Sequence, residues 1–170
     1  MGRFLHRILG PDRDIEDLVQ QAFAEMLTSI DTYRGEAGFT TWMYGIASHV
    51  AHRHIGLEVR WRHRREEWAE WLASGGSDGP DTQATSEARE TLRRLGEALA
   101  SLGLRERETW VLRVWEGLST EEVAVALNIP PGTVMSRLFR ARKAILEALP
   151  DDCRTAGLET LSPLRTDEVS

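Results

Sequence analysis

The chain has 170 residues, room for one ordinary domain or two small ones, and its 41% hydrophobic and 28% charged residues describe a globular chain rather than a disordered or collagen-like one. Its formal net charge of −6 argues against a nucleic-acid partner unless the basic residues are locally clustered. The single cysteine, Cys153, excludes an internal disulfide and a cysteine-cluster zinc site, and a reducing cytoplasm is the expected compartment.

Residues 1–10 carry basic side chains without the sustained apolar core of a secretory signal. No apolar run approaches the roughly 20 residues that cross a bilayer, so membrane insertion is not expected. Ile15, Leu18, Val19, Ala22, Phe23, Met26, Leu27 and Ile30 then recur at helical spacing. Gly10-Pro11 with Asp12 or Asp14 marks the start of that helix, the acidic groups suiting the positive end of its dipole. Gly35 and Gly38 bracket a short loop, after which a second helix is expected from Thr40 through Ile55, with Trp42, Ile46, Ala47, Val50 and Ala51 as its apolar positions.

Trp61, Trp68 and Trp71 fall on one helix face, which calls for a packing partner. The neighbouring Arg60, Arg62, Arg64 and Arg65 suit either a solvated face or a nucleic-acid backbone. The block SGGSDGPDTQATS has no hydrophobic anchors and reads as a flexible linker. Beyond it Leu92, Leu95, Leu99 and Leu102 predict an amphipathic helix, and Trp110, Val111, Val114 and Trp115 predict the next, ended by Gly117. Strand alternation is absent. The expected fold is all-α: a helical domain over residues 1–73, a linker over 74–88, a second helical domain over 89–149 and an acidic tail over 150–170. A first domain this small buries a marginal core and is expected to lean on a partner.

The sharpest local signal lies in residues 118–149. Ser119 and Glu122 form a capping-box pair, Asn128 suits a left-handed helix end, and Pro130-Pro131-Gly132 prevents continuation. A further helix is expected near Thr133, with Val134, Leu138, Ala141, Ile145 and Leu149 facing inward. At about 100° per residue, Thr133, Ser136, Arg140 and Lys143 then lie opposite that stripe, with Arg137 and Arg142 on its flanks. Residues 101–149 are the one net-positive block, with 7 basic and 6 acidic side chains. Hydroxyls near a helix start and arginines along one side suit a recognition helix in a major groove. The plainer alternative is a solvated basic face on a helical hairpin. His49, His52 and His54 cluster, but no cysteine or spaced carboxylate completes a metal shell. Phosphate-cradling loops, nucleophile elbows and metalloprotease helices are not found, so neither catalysis nor a cofactor is expected.

Three stretches in order resemble the sigma-70 family of bacterial transcription initiation factors, in its extracytoplasmic-function (ECF) group. Residues 14–27, DIEDLVQQAFAEML, are similar to the core-polymerase-binding helix of region 2. Residues 33–46, YRGEAGFTTWMYGI, resemble the promoter-melting loop and helix, and residues 104–149 resemble region 4. The resemblance implies core RNA polymerase and promoter DNA as partners, and an anti-sigma factor as a further candidate. It implies polymerase contacts at Asp17, Leu18, Gln20 and Phe23, with Leu18 and Phe23 also suited to a core. For the −10 element it implies Arg34, Gly35, Phe39, Trp42, Tyr44 and His49, with Trp42 open to a core role as well. For the −35 element it implies Thr133, Ser136, Arg137 and Arg140, with Arg142 and Lys143 on phosphate.

The sequence also departs from the family's pattern. A basic residue is common where Gly45 and Ser48 stand, an asparagine at His49, an acidic residue at Arg53 and a lysine at Met135. The helix before Gly10 is short, with little more than residues 3–9. Two alternatives follow: a helix-turn-helix regulator that needs no polymerase, and a sigma-like interaction module that does not open promoters.

Overall fold

The computed structural model describes residues 1–10, 14–55 and 86–149. The Trp61, Trp68 and Trp71 face, the Arg60–Arg65 run, most of the expected linker, the acidic tail and Cys153 lie outside the described residues. The described helices are α1 (Gly2–Leu9), α2 (Ile15–Ser29) with a 3-10 turn at Ile30–Thr32, α3 (Phe39–Ile55), α4 (Ser86–Ser101), α5 (Leu104–Trp110), α6 (Thr120–Leu127) and α7 (Pro131–Ala148). Helix α4 thus begins three residues inside the expected linker. No strand occurs among the described residues, as the periodicity predicts.

Helix α1 is short but buries Phe4, Leu5, Ile8 and Leu9 completely or nearly so. Its carboxyl end is closed by Gly10, at φ 80°, whose N–H donates to the His6 carbonyl at 2.8 Å. Helix α2 turns Ile15, Leu18, Ala22 and Met26 inward at spacings of three, four and four. Phe23 and Leu27, predicted on the same stripe, face out at 51% and 76% exposure. Helix α3 buries Tyr44, Ala47, Val50 and Ala51, while Trp42 and Ile46 stay only partly covered. Arg53, at a position where the family commonly has an acidic residue, pairs with Glu25 and ties α3 to α2.

The helical hairpin of α6 and α7 forms as its local signals predict. The Glu122 N–H donates to Ser119 Oγ at 3.1 Å, and the Ser119 N–H donates to Glu122 Oε2 at 2.8 Å. Asn128 takes the left-handed conformation at φ 51° and ψ 51°. Helix α7 starts at Pro131, two residues before the expected Thr133, because proline is well suited to a first helical position. Val134, Leu138, Ala141 and Ile145 are buried. Ser119→Ala is expected to lower stability by about 1 kcal/mol, read by urea denaturation, with Ser119→Asp restoring most of it.

Between α5 and α6 the chain widens into a π-helical turn over Val111–Trp115. The Glu116 N–H reaches the Val111 carbonyl at 3.0 Å, and the Leu118 N–H reaches that of Leu112 at 3.1 Å. This turn ends at Gly117, φ 74°, where a left-handed backbone favours glycine.

The two halves share one buried core. Phe4, Leu5 and Ile8 of α1 join Tyr44, Val50 and Ala51 of α3 in the same cluster as Leu99, Trp110, Val111 and Leu112. The Arg107 side chain, 1% exposed, donates across the junction to the Ile8 carbonyl at 3.0 Å and within its own half to that of Leu102 at 2.8 Å. The first half therefore leans on the second, as its small size requires.

Candidate nucleic-acid interface

The loop before α3 is closed by Tyr33, whose hydroxyl donates to the Ala37 carbonyl at 2.7 Å. Gly35 sits within it at φ 73°, a conformation most side chains avoid. The loop and α3 bring together three aromatic rings. Tyr33 and Phe39 lie edge to face at 5.7 Å, and Trp42 is 5.4 Å from Tyr33 and 5.5 Å from Phe39. Phe39 is 49% exposed, and Trp42 stands outside the core cluster. Its predicted choice between core and surface thus falls to a half-covered surface position.

A cleft of about 740 Å³ opens beside these rings, lined by Tyr33, Arg34, Gly35, Trp42, His49 and His52 on one side. Its far wall comes from Arg105, Glu108 and Arg137 and from residues 125–129 at the end of α6. Arg34, Gly35 and His49 are exposed, so these predicted positions do converge with Trp42 on one surface. Tyr44 does not. It is 7% exposed, packs on Phe4 at 5.1 Å and donates to the Glu116 carboxylate. Burial, then the bond to Glu116 and that group's charge, pushes its phenol far above the usual range.

On α7 the predicted face divides. Ser136, Arg140 and Lys143 are exposed, with Thr133 and Arg142 partly covered. Arg140 is held by Glu106, Nη2 to Oε1 at 3.0 Å, and Ser136 Oγ donates to the Thr133 carbonyl at 2.9 Å. Arg137 departs from the predicted flank: it is 8% exposed and turns inward to Glu108 at 3.4 Å. Glu108 is itself 2% exposed and accepts from Ser48 Oγ at 2.7 Å, with His52 Nε2 at 2.8 Å. One carboxylate therefore joins α3, α5 and α7. The sequence carries no local sign of it, since its partners lie 60, 56 and 29 positions away.

Helix α2 presents a separate surface. Asp17, Gln20 and Phe23 are exposed, Leu27 extends the stripe, and Leu18 is buried at 5% as a packing residue. Among the described residues no helix is long and apolar enough to cross a membrane, and no group of three or more His, Cys, Asp or Glu is placed to hold a metal ion.

Comparison with known proteins finds matches for both halves of the chain. Residues 2–60 match the family model for sigma-70 region 2, and residues 92–145 match that for sigma-70, region 4. The chain is 34% identical to the ECF RNA polymerase sigma-E factor of Escherichia coli K12, over 84% of this chain and 81% of that one. It is 32% identical to the RNA polymerase sigma-H factor of Pseudomonas aeruginosa, over 91% and 86% of the two chains. Among solved structures, the fold is similar to the sigma factor RpoE of Bartonella quintana in complex with the anti-sigma factor NepR, with a TM-score of 0.58 at 22% identity over 86% and 88% of the chains. With both regions matched in order and a relative 34% identical over most of its length, this chain belongs to the sigma-70 family as an ECF sigma factor, a transcription initiation factor that acts with core RNA polymerase on promoter DNA.

Proposed function

We propose a division of labour among the three surfaces, carried chiefly by the apolar side chains that α2 turns outward. Phe23 and Leu27 are exposed beside Asp17 and Gln20, a mixture of apolar and polar groups suited to a reversible protein interface. This stripe docks on core polymerase. The Tyr33–Phe39–Trp42 cluster, with Arg34, Gly35 and His49, holds unstacked bases of the melted −10 element. Ser136, Arg140 and Lys143, joined by Thr133 and Arg142, read and grip the −35 element, while Arg137 is held inward by Glu108 and supports α7 instead. Tyr44 supports α3 from beneath rather than touching a base. The chain works without chemistry of its own, in the cytoplasm, and an anti-sigma factor is a further partner by likeness to the Bartonella quintana complex.

Gel filtration with bacterial core RNA polymerase tests the first assignment, since co-migration is required. A chain that binds DNA but never polymerase would instead be a free-standing regulator. For melting, Trp42→Ala is expected to leave the unfolding midpoint nearly unchanged, because the ring lies outside the core. Promoter opening by the reconstituted holoenzyme, followed by permanganate reactivity, should fall about tenfold or more, as the loss of one stacked base contact implies. Global unfolding of the variant would return Trp42 to a core role.

A further inference from the structure

On the outward face of α7, one side chain is aimed by a carboxylate from another helix. Arg140 Nε donates to Glu106 Oε1 at 3.2 Å, and Nη2 lies 3.0 Å from the same oxygen. One edge of the guanidinium is therefore occupied. Its other edge, Nη1 with the second hydrogen of Nη2, has no partner among the described residues. The neighbours on this face are not aimed in this way. Lys143 meets Glu147 only at 3.9 Å, with both side chains 67% exposed, and Ser136 turns its hydroxyl back to the Thr133 carbonyl. The fold also makes room for the Glu106 carboxylate. A Cβ on Gly103 would lie 2.8 Å from Glu106 Oε2, although the backbone there, at φ −60° and ψ 154°, is open to any residue. The Glu106 side chain is 23% exposed against 57% for Arg140, so the carboxylate is the covered partner and the guanidinium the presented one.

Two physical effects follow. An arginine with one edge taken keeps a rigid two-donor fork on the other, the arrangement that pairs with O6 and N7 of guanine. The carboxylate also offsets the charge that a phosphate would meet, so the pair contributes little to sequence-independent attraction. We propose that Glu106 determines specificity: it directs the Arg140 fork to a guanine of the −35 element and withholds Arg140 from the phosphate backbone. The inference rests on the assignment of α7 to promoter DNA. Glu106 is a positioning residue, acting through Arg140 without touching a base itself.

The test uses the full chain reconstituted with bacterial core RNA polymerase and a random-sequence duplex library. Bound duplexes are sequenced to give the base preference at each position. The position whose preference is lost in Arg140→Ala marks the base pair that Arg140 reads. There the parent should prefer guanine, and Glu106→Ala should lower that preference about fivefold, an ordinary coupling between touching side chains. Glu106→Gln, whose amide oxygen still accepts from Arg140, should keep most of the preference. Both variants should bind a mixed-sequence duplex more tightly at low salt. Their slope of log affinity against log salt should steepen by about one, because Arg140 is then free to meet a phosphate. In an Arg140→Ala background neither substitution should alter the preference at that position. Unfolding midpoints should stay at the parent value, since an exposed ion pair contributes little to stability. Unchanged guanine preference in Glu106→Ala overturns the proposal, as does an unchanged salt slope in both variants or an equal change in the Arg140→Ala background. A lowered midpoint with unchanged preference also overturns it and makes Glu106 purely structural. An Arg140→Ala profile identical to the parent's would remove the assignment of α7 to DNA, and this proposal with it.

Discussion

Glu108→Ala is expected to destabilise the chain by about 3–5 kcal/mol, the cost of leaving a buried charge without its partner. Arg137, 8% exposed, would lose its carboxylate, and Ser48 would lose the acceptor 2.7 Å from its hydroxyl. Neither group can turn to water where it stands. A chain of this size moves its unfolding midpoint by roughly 2–4 °C for each kcal/mol, so the change is easily read by calorimetry. Glu108→Gln should cost less, because an amide oxygen still accepts from Ser48 or Arg137. Adding Arg137→Ala to Glu108→Ala should recover part of the loss, since the stranded charge goes with it. A loss below about 1 kcal/mol for Glu108→Ala would mean that the carboxylate behaves as a solvated surface group.

The hairpin of α6 and α7 was legible because everything that builds it is local. Ser119, Glu122, Asn128 and Pro131 each act within a few residues, and the structure meets those expectations to within two positions. Periodicity also finds α2 and α3, but it cannot separate a core stripe from an interface stripe beside it. Leu18 and Phe23 look alike in sequence, yet one is buried and the other half exposed, because only the first meets another helix. The same limit hides the role of Trp42, whose neighbour Tyr33 is brought to it by the loop before α3 and whose neighbour Phe39 opens that helix. Glu108 is the extreme case: a single carboxylate in a run of alternating charges, given its meaning by three side chains brought from two other helices. The π-turn at Val111–Trp115 has no local marker before Gly117. Gly45 and Ser48 were visible as departures, but their neighbours Ala126 and Glu108 are supplied only by the tertiary arrangement.

Phe23→Ala combined with Asp17→Ala is expected to weaken core-polymerase binding by about 2–4 kcal/mol, roughly 30- to 1,000-fold, if the outward α2 stripe carries an interface hot spot. Both side chains are exposed, so the free variant should keep its helical content and unfolding midpoint. Its affinity for promoter duplex in the absence of polymerase should also stay at the parent value. Arg140→Ala should show the opposite pattern. That side chain is 57% exposed on α7, at the far side of its helix from Leu138, and nothing ties it to α2. Losing one arginine contact to a base edge should weaken specific binding by about 1–3 kcal/mol. If Arg140 instead meets only a phosphate, binding to every sequence should fall alike, and the slope of log affinity against log salt should drop by about one. Polymerase binding by Arg140→Ala stays normal in either case. Matching losses in both assays for both variants would mean that the surfaces do not act separately, and would sink the division of labour.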